Sequence, residues 1–396
     1  MERTFIVWSA IALASGLGVG CGSNDSTAPG TGGTAGSAGA ATGGTSGSGT
    51  GGTGTGGSSG ASGSAGSSTG GSAGSAGVTR PPYNTGTGFF VGTDHKLYDA
   101  NGVEFVIRGV NRVHYDNGSG AYIPQSKANA ERWIMPTSRA AAKNVAQLQT
   151  ENIDHHIVPI PGIWNVGGKT VTCSQDTADF QAAVGYWVTN ASAFKGTERY
   201  LIVNIANEWG PGDGSNSSTV WRDSYKGAIT ALRNAGYLGT LLIDAGGCGQ
   251  SQADIVDYGQ AVFDSDPQKN VVFSYHLYGG TKDSAITSRM NQLAGTGLPT
   301  IVGEFGPGKN IGPSPTDAQP LHVIAGANAK GFGWLAWAWD DNNLANCSAD
   351  DNWFSMTYQP CGDQSNFSTA LTGFGKEVVL DSTYGLQATA VPATVF

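Results

Sequence analysis

Charge is scarce in this 396-residue chain: Asp, Glu, Lys and Arg make up 13% of it, and the formal net charge is −9. With a pI near 5.0, nothing would neutralise a phosphate backbone, so nucleic acid is excluded as a partner. No His-Glu-x-x-His and no Cys-x-x-Cys occurs, which argues against a zinc site. His155 and His156 are neighbours and, read as strand residues, point to opposite faces, so they cannot chelate one ion. No glycine-rich loop opens a helix in the folded part, which disfavours nucleotide cofactors. No cofactor is expected.

From Ser26 to Thr79 charged and aromatic residues are both missing. Such a Gly/Ser/Thr/Ala segment cannot bury enough apolar surface to offset its ordering entropy. Residues 22–84 are therefore expected to be a disordered linker, with an end-to-end distance on the order of 40 Å. A G-x-S-x-G match at Gly56–Gly60 is an accident of composition, because no strand precedes it.

Long apolar runs are also few. Residues 1–21, with Arg3 and then an apolar stretch ending in small residues, are too short and interrupted for a durable membrane span. They predict an export signal ending at a lipidated Cys21, although Gly18 stands where a lipoprotein box usually has leucine. The expected location is an outer-membrane or cell-surface lipoprotein, or a secreted chain, touching membrane only through that lipid. Of the five cysteines, Cys173, Cys248, Cys347 and Cys361 then remain for two disulfides, with Cys347–Cys361 favoured because both lie in one turn-rich segment.

What is present lies in residues 85–396, a length natural for an eightfold α/β barrel. Eight strand-like runs recur: EFVIRGVN (104–111), AERWIM (130–135), HIVPIPG (156–162), YLIVNIAN (200–207), GTLLIDAG (239–246), NVVFSYHLY (270–278), PTIVGEFG (299–306) and GFGWLAWAW (331–339). Several are continuously apolar, as strands buried on both faces are. Helical periodicity connects them at 138–152, 177–194 and 219–236. The alternation predicts a closed parallel (β/α)8 TIM barrel.

Chemistry in such a barrel sits at the carboxyl ends of the strands. Those ends carry Arg108, Asn111, Arg132, Trp164, Asn207, Glu208, Asp244, His276, Tyr278, Glu304, Trp337 and Trp339. Two opposed carboxyls, one protonated and one ionised, suit cleavage of a glycosidic bond, and indoles suit pyranose faces. A retaining mechanism would place the two carboxyls about 5–5.5 Å apart.

The stretches NIANEWG, SYHLYG and IVGEFG together resemble glycoside hydrolase family 5, the retaining cellulase and mannanase family. Its members place Asn-Glu after the fourth strand, His-x-Tyr after the sixth and Glu after the seventh. KLYDANGVEFVIRGVN and ANAERW look like its first two strands, and the segment from Gly239 to Tyr278 looks like its bacterial endo-β-1,4-mannanases. The resemblance implies Glu208 as acid/base and Glu304 as nucleophile. It also implies that Asn207 contacts the sugar 2-hydroxyl and that Arg132 and Tyr278 hold Glu304. His276 would line the subsite and Trp337 would be the sugar platform. The chain departs from that pattern in having Cys248-Gly249-Gln250 where relatives have Trp-Gly-Gln, and Ile163-Trp164 where the third strand usually ends in histidine. The expected function is a monomeric retaining β-1,4-mannanase. An endo-β-1,4-glucanase and a non-catalytic carbohydrate-binding lipoprotein are the alternatives.

Overall fold

The computed structural model describes residues 77–112, 122–136, 152–211, 218–278, 283–307, 319–340, 354–358 and 366–396. All belong to one compact unit, Ser75–Phe396. The export signal, Cys21, the greater part of the linker, the 138–152 helix up to its last residue, Cys347 and Cys361 lie outside the described residues.

Eight parallel strands close on themselves: β1 (Arg108–Arg112), β2 (Ala130–Pro136), β3 (Val158–Val166), β4 (Val203–Asn204), β5 (Leu241–Asp244), β6 (Val271–Leu277), β7 (Thr300–Phe305) and β8 (Gly333–Ala336). Each pairs with the next, and β8 returns to β1, with Trp334 opposite Arg108. The chain is thus a (β/α)8 barrel. Strands β1, β5, β6, β7 and β8 are buried throughout; the apolar runs of β5, β7 and β8 reflect this, whereas β1 buries Arg108, Asn111 and Arg112 and β6 buries Ser274 and His276.

Outside run the helices α1 (Thr177–Phe194), α2 (Thr219–Asn234), α3 (Gln252–Ser265), α4 (Asp283–Gly295), α5 (Pro320–Ala329) and α6 (Gly373–Leu380). Three begin on a capping side chain that accepts an orphan amide: Asp176, Ser218 and Thr372. Among the described residues no helix is long and apolar enough to cross a membrane.

Both chain ends of the folded unit cover the amino-terminal end of the barrel. The ribbon Phe90–Val91 with Leu97–Tyr98 is tied to Asn270, just before β6, whose amide donates to the Phe89 carbonyl and accepts from Val91. Residues ahead of 85 join this floor, because Val78 bonds Gly102 and the buried Asn84 donates to the Gln268 carbonyl. Phe396 stacks on His156 and Tyr200. With the floor sealed, the carboxyl ends remain for the site.

Two sequence readings change here. Arg108 begins β1, and its guanidinium donates to the carbonyls of Ile107 and Phe332, so it belongs to the amino-terminal end and not the mouth. His155 and His156 lie in a turn ahead of β3, with His156 at φ 58, so strand alternation does not govern them.

Candidate active site

Arg132 is the centre of the mouth. It is fully buried on β2, and its fork donates to five acceptors. Nη1 reaches Glu304 Oε1 at 2.7 Å and Asn111 Oδ1 at 2.9 Å; Nη2 reaches Asn207 Oδ1 at 2.6 Å, Asp244 Oδ2 at 2.8 Å and Asn204 Oδ1 at 3.0 Å. A planar guanidinium can span acceptors from β1, β4, β5 and β7 at once, which an ammonium cannot. Burial opposes its charge, and Asp244 and Glu304 more than restore it, so the group stays cationic.

Glu304 reaches this centre through an irregularity in β7. The register against β6 shifts between Val302 and Glu304, which sets Glu304 beside His276. Gly303 permits the shift, since a Cβ there would overlap Ser274 Oγ. Glu304 Oε2 accepts from the Tyr278 hydroxyl, so both oxygens of this nearly buried carboxylate are held. Burial and the neighbouring Glu304 charge push the Tyr278 hydroxyl well above its ordinary range, so it remains a donor.

Glu208 follows β4 in a left-handed turn, φ 51, a conformation rarely taken by residues other than glycine. Its amide donates to Asp244 Oδ2 at 3.0 Å, and its Oε1 lies 2.9 Å from His276 Nδ1. Burial, and then the Glu304 charge, raise the Glu208 carboxyl to about 7, against the opposing pull of His276. For His276, burial alone would lower the pKa, but Glu304 and Asp244 reverse this and carry it up to about 10. Burial would likewise raise Asp244, yet Arg132 and His276 hold it well below the usual carboxylate range.

Carboxyl oxygens of Glu208 and Glu304, with a His276 nitrogen, lie within 4.8 Å of one another. These three are the grouping that could hold a metal ion among the described residues. Arg132 and Tyr278 already occupy both Glu304 oxygens, and His276 carries a proton, so the arrangement suits proton transfer rather than cation binding. Two carboxyls at this spacing, one poised near neutrality and one clamped by a cation, have the form of a retaining glycosidase pair.

The structure brings Arg132, Asn207, Glu208, His276, Tyr278 and Glu304 together. Asn207 gives one amide hydrogen to Thr172 Oγ1 at 2.8 Å, and its second hydrogen has no partner among the described residues. Trp337 sits apart from the main core, packed with Ala338, Phe354, Ile134 and Tyr278. Trp339 is fully buried in the main core. Cys173 and Cys248 are disulfide-bonded to each other. Sequence reasoning missed Asn204 and Thr172. Asn204 was detectable as a polar break in LIVNIAN; Thr172 stands in a loop with no local signal.

The sequence model of the family described as Cellulase (glycosyl hydrolase family 5) matches residues 126–343. A mannan endo-1,4-beta-mannosidase of Salipaludibacillus agaradhaerens is 33% identical over 321 residues, covering 78% of this chain and 96% of that protein. Another, from Cellvibrio japonicus, is 31% identical over 325 residues, covering 79% of this chain and 70% of that protein. Among solved structures, the mannohexaose complex of Thermomonospora fusca beta-mannanase is similar with a TM-score of 0.64 at 28% identity, covering 78% of this chain and 99% of that one.

Proposed function

Because the chain belongs to glycosyl hydrolase family 5, we propose that it hydrolyses β-1,4-mannan internally, with retention, through Glu304 as nucleophile and Glu208 as acid and base. The observation that carries this is the pair of facing carboxyls in opposite electrostatic surroundings, within 4.8 Å. Relatives named for mannan, matched over most of their length, support the choice of sugar.

In the first step Glu304 attacks the anomeric carbon while Glu208 gives its proton to the departing glycosidic oxygen. Arg132 and Tyr278 aim the attacking carboxylate. His276 donates to Glu208 Oε1, which leaves Oε2 to carry the proton. In the second step Glu208, now a carboxylate, takes a proton from water as it attacks the glycosyl-enzyme. Asn207, with an amide hydrogen that no described residue accepts, is placed to hold a sugar hydroxyl.

Two measurements test this. Purified chain should release reducing sugar from galactomannan and little from carboxymethylcellulose; activity on the cellulose alone would replace mannan with glucan, and turnover of neither would favour the binding lipoprotein. Since Glu208 must be protonated to act, kcat/KM should be maximal below its pKa of about 7 and fall about tenfold per pH unit above it. A profile flat to pH 9 would show that Glu208 is not the acid.

The reading extends to an exported chain, tethered by a lipid on Cys21 and acting as a monomer. Its support is the apolar, small-residue stretch before Cys21 and a disulfide that suits an oxidising compartment. Cleavage at Cys21 with a diacylglycerol mass on the mature chain would establish the anchor.

A further inference from the structure

The Cys173–Cys248 disulfide has no part in the chemistry above, yet one of its sulfurs lies 3.8 Å from Glu208 Oε2. The bond joins residues 75 apart, with 4.4 Å between their Cα atoms. It links the loop that leads into α1 with the loop after β5, and the Glu208 turn runs between the two. On one side Cys173 N donates to the Glu208 carbonyl at 3.2 Å, Gly210 N to the Ser174 carbonyl at 3.1 Å, and Trp209 Nε1 to the Asp176 carbonyl at 2.9 Å. On the other, Gly247 N donates to the Gly210 carbonyl at 3.0 Å and His276 N to the Gly249 carbonyl at 2.9 Å.

Glu208, Cys173 and Cys248 all hold left-handed backbone, at φ 51, 58 and 56. Side chains other than glycine keep that conformation only where the surroundings enforce it. A covalent link across the flanking loops is such an enforcement. Next to Cys248, Gly249 lies against His276, where a Cβ would overlap the ring.

We propose that the Cys173–Cys248 disulfide is a positioning element of the reaction, which fixes the Glu208 turn and sets a hydrogen-free sulfur wall against Oε2, the proton-delivering oxygen. The proposal rests on Glu208 being the acid. A disulfide sulfur has no proton to give, so it cannot stabilise a carboxylate at Oε2 or compete with the leaving oxygen as a donor. Reduction by a dithiol breaks the S–S bond with two electrons and adds a proton to each sulfur, while the dithiol closes to its own cyclic disulfide. Cys173 then carries an S–H donor beside Oε2, which favours the ionised acid. The other groups facing Glu208 are Arg132 on β2, Asp244 on β5, His276 and Tyr278 at β6 and Glu304 on β7, and reduction alters none of them chemically.

The test is the pH dependence of kcat and KM on galactomannan for oxidised chain, dithiothreitol-treated chain and chain reoxidised after treatment. A Cys173→Ala/Cys248→Ala variant is treated in parallel. Reduction is expected to lower kcat by about 10–100-fold, to move the alkaline limb to lower pH, to leave KM within about twofold, and to reverse on reoxidation. The double-alanine variant should have the lowered kcat already, should not respond to dithiothreitol, and should keep its alkaline limb nearer the oxidised position. The limb does not depend on how much enzyme is folded, so partial unfolding cannot imitate its movement. Unchanged kcat and limb in chain shown by thiol titration to be reduced would overturn the proposal. So would a change confined to KM, or an equal dithiothreitol response in the double-alanine variant. A Glu208→Gln variant with full activity would instead overturn the assignment of the acid, separately from the disulfide's role.

Discussion

Substituting Glu304 by glutamine is expected to lower kcat on galactomannan by about 10⁴-fold or more, with manno-oligosaccharide still bound. The amide keeps the shape of the carboxylate and can still accept from Arg132, which donates to Oε1 at 2.7 Å. What it loses is the anionic oxygen that must form the glycosyl-enzyme bond, and no neighbour can substitute. Asp244 is engaged by Arg132 and by the Glu208 amide, and Glu208 is committed to the proton. Steady-state rates together with calorimetric titration of a manno-oligosaccharide measure both halves of the expectation. Turnover at the wild-type rate would show the nucleophile misassigned; loss of binding along with turnover would show that the glutamate shapes the cleft rather than reacts.

Arg132→Met should produce the largest loss of stability, about 3–5 kcal/mol, the usual penalty for removing one partner of a buried ion pair. The guanidinium is fully buried and lies within 2.8 Å of both Asp244 and Glu304, and the same two terminal nitrogens also bond Asn111, Asn204 and Asn207. Methionine of similar reach would leave two buried carboxylates with only His276, at 3.7 Å from Asp244 and 3.5 Å from Glu304, to offset them. The barrel would either hold unpaired charges or take up protons to remove them. Urea unfolding at pH 7 measures this, as a lower midpoint with little change in slope. Arg132→Lys should recover only part of the loss, because an ammonium carries the charge without the fork. A methionine variant as stable as the parent would mean that the carboxylates are compensated elsewhere.

The second strand shows how the sequence could be read and where reading stopped. Glu131 and Arg132 interrupt its apolar pattern, and alternation explains both. Glu131 turns away from the site to Arg112 at 3.2 Å and Asn152 at 2.8 Å, while Arg132 turns to the mouth. Arg108 was misplaced because strand β1 starts later than its apolar run, a boundary that hydrogen-bond pairing decides and composition does not. The favoured Cys347–Cys361 pairing falls outside the described residues, and Cys173–Cys248 is bonded across 75 residues that no spacing rule connects.

By itself the sequence determined the eight strands, the barrel and the candidate carboxyls, because apolar periodicity and strand-end residues are local properties of the chain. Only the tertiary structure decided how those carboxyls differ. Glu208 and Glu304 are both glutamates ending apolar strands, and apart from the family resemblance carried by Asn207-Glu208 no residue chemistry nearby in sequence marks either as proton donor. Their neighbours do: Arg132 and Tyr278 converge on Glu304, while His276, Asp244 and a disulfide surround Glu208. Electrostatic environment depends on distance in space, and the closed sheet brings these groups from β2, β5, β6 and β7 to within a few ångströms.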